Sequence, residues 1–377
     1  MKKIILLAFL LFFGAICTFA TIQDETEDKI LKQKIAQMLI VGFNGQGLSP
    51  SNPIYSDIKD LGIGGVILFS RNADLTKPNL IKNIKDPEQL KRLTGDLQKI
   101  SRTPLFIAID QEGGLVSRLS PSYFVVSTYS ARYLGVRNKP DLTLAEAEKT
   151  AKTLKDVGVN LNFAPCVDLE IDKSSKVIAG LQRAYSENPA VVISQARAVI
   201  QGHDKYGILT VLKHFPGHGS AAGDTHQGFV DVTKTYSQKE LLPYKTLISE
   251  GLAHGVLTAH VYDKNIDSEF PASLSKKMIE GNLVNKLGFK GLVFTDDIQM
   301  GALKNSFTLK ETLKNAINAG NDVIIIGNNL TYDPEIAKKS VEMIYNLVKS
   351  GDIPEARIDA AYGKIMEYKN ANLGRKN

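Results

Sequence analysis

Cysteine is scarce: the 377 residues contain only Cys17 and Cys166. Cys17 falls within an N-terminal segment expected to be removed, so the mature chain keeps Cys166 alone. That excludes an intrachain disulfide and leaves stability to a hydrophobic core, which a chain of this length can build. A dominant charge is also lacking, since 46 Lys and Arg stand against 40 Asp and Glu for a formal net charge of +6. With no basic run interleaved with aromatics, nucleic acid is excluded as a partner. Linkers, repeats and low-complexity segments are missing. The 43% hydrophobic and 23% charged content is that of a globular domain.

Several catalytic signatures are missing too. No glycine-rich dinucleotide fingerprint follows the first apolar run. No GxxxxGK[ST] phosphate loop and no GxSxG nucleophile elbow occurs. His214 and His218 have the i,i+4 spacing of a zincin pair, but Pro216 and Gly217 stand between them and break the helix that pair needs. No metal ligand set and no cofactor is therefore expected.

Turning to what is present, MKKIILLAFLLFFGAICTFA has two lysines, an apolar run and a small-residue end. This is the layout of a secretory signal peptide over residues 1–20, cleaved after Ala20, and it predicts a secreted or periplasmic protein. The apolar run is short for a spanning helix, so no membrane insertion is expected after cleavage. Cys17 would suit lipid attachment, but Ile16 stands where a small residue is wanted.

Eight short apolar runs follow, at 38–43, 64–70, 105–110, 159–165, 208–214, 255–261, 291–297 and 322–327. They are nearly continuous in Val, Ile, Leu and Phe, as strands buried on both faces should be. Amphipathic stretches at 87–100, 143–158, 189–207 and 309–320 lie between them, several closing on glycine. Alternating strands and helices predict a parallel sheet, and eight strands predict an α/β (β/α)8 TIM-type barrel over residues 21–377, one catalytic domain. The segment 334–371 reads as final helices outside the barrel.

Active sites of such barrels lie at the C-terminal strand ends. There the chain places Asp110 with Arg118, Asp168, Lys213 with His214, His260, and Asp296 with Asp297. Asp168 and Asp297 read as turn or capping carboxylates. Five polar strand ends on one face predict a polar pocket. A carboxylate nucleophile with a separate proton donor fits these residues, as in glycoside hydrolysis with retention. Asp296, directly after a buried strand, would be rigidly presented. His226 could supply the proton with Asp224 as its orienting partner, although the spacing Asp224-x-His226 fits an exposed Asx turn equally well.

Three long motifs, IDQEGGLVSRL, KHFPGHGSAAGDTHQG and VFTDDIQMGAL, occur in this order. Together they resemble glycoside hydrolase family 3, in its β-N-acetylhexosaminidase branch, and the resemblance runs from AQMLIVGF through AGNDVIIIG. It implies a (β/α)8-type barrel and a retaining mechanism without metal. It also implies Asp296 as nucleophile, His226 as general acid/base and Asp224 as its partner. Asp110, Arg118, Lys213 and His214 would hold the sugar hydroxyls, as would Arg183. Arg183 stands in GLQRAYS, where the family more often shows Ser-Phe-Gly neighbours.

A second departure follows the acid/base pair, where DTHQGFVDVT replaces the family's usual Leu-Pro and changes what packs beneath that loop. The β-glucosidase branch takes its acid/base from an additional domain, for which the chain leaves no room. The expected substrate is a carbohydrate with a terminal N-acetyl-β-glucosaminide, from peptidoglycan fragments or chitin. Other sugar specificity, phosphorolysis and a non-catalytic sugar-binding role are the alternatives. A neutral histidine repels an incoming anion less than a carboxylate would, so phosphate could compete with water. Gly217, Gly219 and Gly223 are expected to let the loop swing.

Overall fold

A computed structural model describes residues 25–73, 80, 82–225 and 228–374; the predicted signal segment lies outside these residues. All eight expected strands form. They are β1 (Leu39–Gly42), β2 (Gly65–Leu68), β3 (Phe106–Ile109), β4 (Leu161–Asn162), β5 (Leu209–Phe215), β7 (Gly255–Thr258), β9 (Leu292–Thr295) and β10 (Ile324–Ile326). Every pairing in this sheet is parallel, in the order β10-β1-β2-β3-β4-β5-β7-β9. A parallel bridge between Phe294 and Val323 joins the two ends and closes the barrel.

The eight strands are buried along their whole length. That is why the apolar runs carry no in-out alternation. Phe163 and Phe294 meet edge to face inside the barrel at 5.7 Å between centroids.

The covering helices begin and end where local chemistry dictates. Pro87 opens the helix Pro87–Ile100, and Asp86 accepts from the Gln89 N–H ahead of it. Thr308 and Glu311 form a reciprocal capping box for Leu309–Ala319, which Gly320 closes at φ 115°. The last two helices, Ile336–Lys349 and Glu355–Asn372, pack outside the barrel as expected.

Some features are absent from the sequence reading. Lys277–Lys286 is wound as a π-helix. Two short strands, β6 (Val230–Asp231) and β8 (Val261–Tyr262), pair in parallel above the strand ends.

Candidate active site

A cavity of roughly 360 Å³ opens at the C-terminal strand ends. Asp110, Arg118, Asp296 and Asp297 line it, with Phe163 and Met300 among its apolar walls. Asp296 follows β9 directly. Its main-chain N–H donates to the Thr258 carbonyl at 3.1 Å, and its Oδ1 accepts from the Asp297 N–H at 2.8 Å. Asp297 accepts from the N–H groups of Gln299 and Gly327 and so shapes the turn, the role its position predicts. His260 does not line the cavity. Its Nε2 donates to the Asp297 carbonyl and its Nδ1 accepts from Ser273, bracing the same turn from beneath.

Lys213, His214 and Arg183 form the wall behind Asp110. Lys213 is 3% exposed and donates to Asp110 at 2.8 Å, with Glu112 Oε1 at 2.7 Å. Arg183 grips both oxygens of Glu112, at 2.9 and 2.8 Å, and its Nη2 donates to His214 Nε2 at 3.0 Å. Arg118 completes the chain, 3.6 Å from Asp110, and its buried Nε has no hydrogen-bond partner among the described residues.

These charges stabilise one another against burial. Burial works against the charged forms of Asp110 and Glu112, but neighbouring cations outweigh it. Lys213 and Arg118 hold Asp110 below its usual range, and Arg183 and Lys213 hold Glu112 well below. Burial likewise disfavours the Lys213 ammonium, which the two carboxylates nonetheless carry above its usual value.

Glu112 was not among the residues singled out from the sequence. It lies inside the IDQEGG motif, and two basic residues that converge in a core require such a counter-charge.

Asp168 departs from expectation. It caps no helix. Its Oδ2 accepts from His214 Nδ1–H at 2.6 Å, and its Oδ1 from the N–H groups of His214 and His218 at 3.2 and 2.8 Å. Burial disfavours its charge, but these partners hold the carboxyl below its usual range. Together Arg183 and Asp168 fix Nδ1 as the protonated nitrogen of His214.

Cys166 Sγ, Asp168 and His214 Nδ1 lie within 4.8 Å of one another, close enough to hold a metal ion. Here the thiol and the imidazole both donate to Asp168 Oδ2. Burial pushes the thiol's pKa well up, and the Arg183 guanidinium stands against the same imidazole. A cation would have to replace both hydrogen bonds beside a fixed positive charge, so the donor set fits a hydrogen-bonded network better than a metal.

The loop after β5 begins as a buried root. The peptide bonds Lys213–His214 and Phe215–Pro216 are cis. Gly217 and Gly219 serve close approach here, in place of the swing expected of them. A Cβ on Gly217 would meet Glu240 Cβ at 2.6 Å, and one on Gly219 would meet the Leu169 carbonyl oxygen at 1.8 Å. His218 is buried; burial first, then His214, lowers its pKa to about 4.

Beyond the root, Asp224 accepts from the Gly228 N–H through its carbonyl, and the Thr225 carbonyl accepts from Ala302 N–H at 3.0 Å. The loop thus reaches the segment just after Asp296. His226 lies outside the described residues. Where the family's usual Leu-Pro is replaced, Phe229 packs on Tyr262 at 4.2 Å and β6 pairs with β8.

Among the described residues no helix is long and apolar enough to cross a membrane. The glycosyl hydrolase family 3 N-terminal domain matches residues 30–368. A β-hexosaminidase of Nitrosomonas eutropha is 36% identical over 285 residues, which cover 73% of this chain and 75% of that protein. A glycoside hydrolase family 3 β-N-acetylglucosaminidase from Paenibacillus sp. superposes with a TM-score of 0.81 at 31% identity. That match covers 92% of this chain but 63% of the other, so the chain spans less than two thirds of it. A β-N-acetylhexosaminidase from Beutenbergia cavernae gives a TM-score of 0.79 at 25% identity, covering 90% of this chain and 98% of that one. With Asp110, Arg118 and Asp296 gathered at one end of a closed barrel, and the family match running through most of its length, the chain belongs to glycosyl hydrolase family 3.

Proposed function

We propose that this protein is an exported, retaining β-N-acetylhexosaminidase that releases terminal N-acetyl-β-glucosaminides from peptidoglycan fragments or chitooligosaccharides. The observation that carries the reading is the shared cavity of Asp296, Asp110 and Arg118. It puts a carboxylate on a rigid strand end beside a charged pair suited to sugar hydroxyls. The named activities of the relatives and the signal-like segment 1–20 point the same way.

In this mechanism Asp296 attacks the anomeric carbon and displaces the leaving oxygen, forming a glycosyl-enzyme ester. His226 gives the leaving oxygen its proton. In the second half it takes a proton from the water that opens the ester. Asp224 orients the imidazole and stabilises its charged form. Asp110 and Arg118 bind sugar hydroxyls; Lys213 and Arg118 keep Asp110 ionised, while Glu112, itself gripped by Arg183, holds Lys213 in place. His214, locked between Arg183 and Asp168, offers a fixed ring edge to the same wall.

The test is hydrolysis of an aryl N-acetyl-β-glucosaminide. Asp296→Ala is expected to reduce turnover to background, and His226→Ala to lower it about 10²- to 10⁴-fold. Mass spectrometry after incubation with a slow 5-fluoro substrate should place the sugar on Asp296. Wild-type turnover by Asp296→Ala would overturn the nucleophile. Equal cleavage of the aryl glucoside would overturn the N-acetyl preference, and a sugar phosphate formed in phosphate buffer would make the enzyme a phosphorylase.

A further inference from the structure

The loop that carries Asp224 leaves the barrel after β5 and returns at Glu240, just before the helix Leu241–Ser249. Between these points the chain travels out over the strand ends, pairs β6 with β8 and touches Ala302. Glu240 closes the neck of this excursion. It is 1% exposed, and its carboxylate faces back across the chain to the loop's beginning. Oε2 accepts from the Gly219 N–H at 2.7 Å, and Oε1 accepts from the Ser220 hydroxyl.

Gly217 and Gly219 lie against the Glu240 side chain so closely that an added Cβ would sit 2.6 to 3.0 Å from its atoms. Tyr236, four residues earlier, donates its hydroxyl to the Pro216 carbonyl at 2.9 Å. Asp168 holds the other side of the root through the His218 N–H. The outgoing and returning strands are therefore joined by side-chain bonds at one point. Beyond Ser220, the Thr225 carbonyl ties the loop to the Ala302 N–H.

We infer that Glu240 is a positioning residue for the acid/base arm, its clamp on Gly219 and Ser220 setting where the loop carries Asp224 relative to Asp296. The inference rests on the acid/base reading proposed above. Burying a carboxylate is costly unless its hydrogen bonds are made. Two of those bonds are spent on the loop's root, four and five residues before Asp224. Asp168 is a less specific clamp, because it also holds His214 at the sugar wall. Glu240 is not among the residues lining the cavity, so a change in sugar binding is not expected from its loss.

The experiment compares kcat/KM on two N-acetyl-β-glucosaminides, one with a 2,4-dinitrophenyl leaving group and one with a 4-methoxyphenyl group. The first departs without acid assistance and the second requires it. Displacing the arm by about an ångström should cost on the order of 10²-fold on the methoxyphenyl substrate. The dinitrophenyl substrate should lose less than about threefold, since the nucleophile and sugar wall are untouched. Glu240→Ala is expected to show this split. Glu240→Gln should restore both substrates, because its amide carbonyl still accepts from Gly219 and its amide group still reaches Ser220. Should the alanine variant not fold, Glu240→Asp, one methylene too short to span both partners, is read on the same pair.

Equal losses on both substrates, or none, would overturn the clamp. His226→Ala separates this from the underlying reading. If it shows no dependence on the leaving group, the acid/base assignment is wrong. If it shows that dependence and Glu240→Ala does not, only the clamp fails.

Discussion

A buried lysine and a buried arginine repel each other, and Glu112 lets Lys213 and Arg183 share one wall of the site. Its two oxygens take three bonds from these cations in a space almost closed to water. Replacing Glu112 with alanine leaves the Arg183 guanidinium without its carboxylate partner and Lys213 with Asp110 alone. It is expected to lower stability by about 3–5 kcal/mol, measured by urea denaturation, and to release Lys213 from its fixed place against Asp110. An activity loss with an unchanged denaturation midpoint would contradict that reading.

The motif around Asp110 makes Asp110 and Arg118 legible as candidates, because each follows a strand end and belongs to a quoted pattern. Glu112 becomes necessary only when Arg183, 71 positions along the chain, is folded against it. Asp168 escaped for the same reason. A lone aspartate after a strand reads locally as a turn residue, and its partner His214 is 46 positions away.

At the scale of elements, the strands are legible because burial on both faces leaves an unbroken apolar run, a signal contained within each segment. The loop after β5 is different. Its glycines have two opposite readings, freedom to move and room for close approach, and sequence spacing does not separate them. The folded chain does so at Gly219, where a methyl group would meet a carbonyl carbon and oxygen that are backbone and cannot turn aside.

Gly219→Ala is therefore expected to destabilise the protein by about 1–3 kcal/mol through overpacking. It should also reproduce part of the leaving-group dependence of Glu240→Ala, since both disturb one root. Thermal denaturation and the two-substrate assay check this together. A fully stable Gly219→Ala enzyme would mean the root is loose. The short pair β6 and β8 was illegible because two residues carry no period, and its partners meet only above a completed barrel.

For the molecule as a whole, the opposite end of the barrel holds its own buried charge. Lys369, on the final helix, is fully buried and donates to Gln37 Oε1 at 2.8 Å and to the Gly64 carbonyl at 2.7 Å. Its Nζ also lies 4.7 Å from the centre of the Phe106 ring. Gln37, Gly64 and Phe106 stand at or just before the starts of β1, β2 and β3. One side chain thus ties the end of the chain to the floor of the barrel, the face that serves stability in this architecture.

Burial lowers the Lys369 pKa from 10.5 to about 7. Between those values the unfolded chain holds the proton and the folded chain has released it, so this group's contribution to stability rises with pH across that window. Below pH 7 both states are protonated and the contribution is constant. Lys369→Met removes the titration along with two hydrogen bonds. The stability difference between wild type and variant, followed by denaturant midpoints, should move in favour of the wild type from pH 7 towards pH 10 and stay flat from pH 5 to 7. A difference that is flat throughout would show that the ammonium remains charged in the folded protein, held by its two acceptors and the Phe106 ring against the cost of burial.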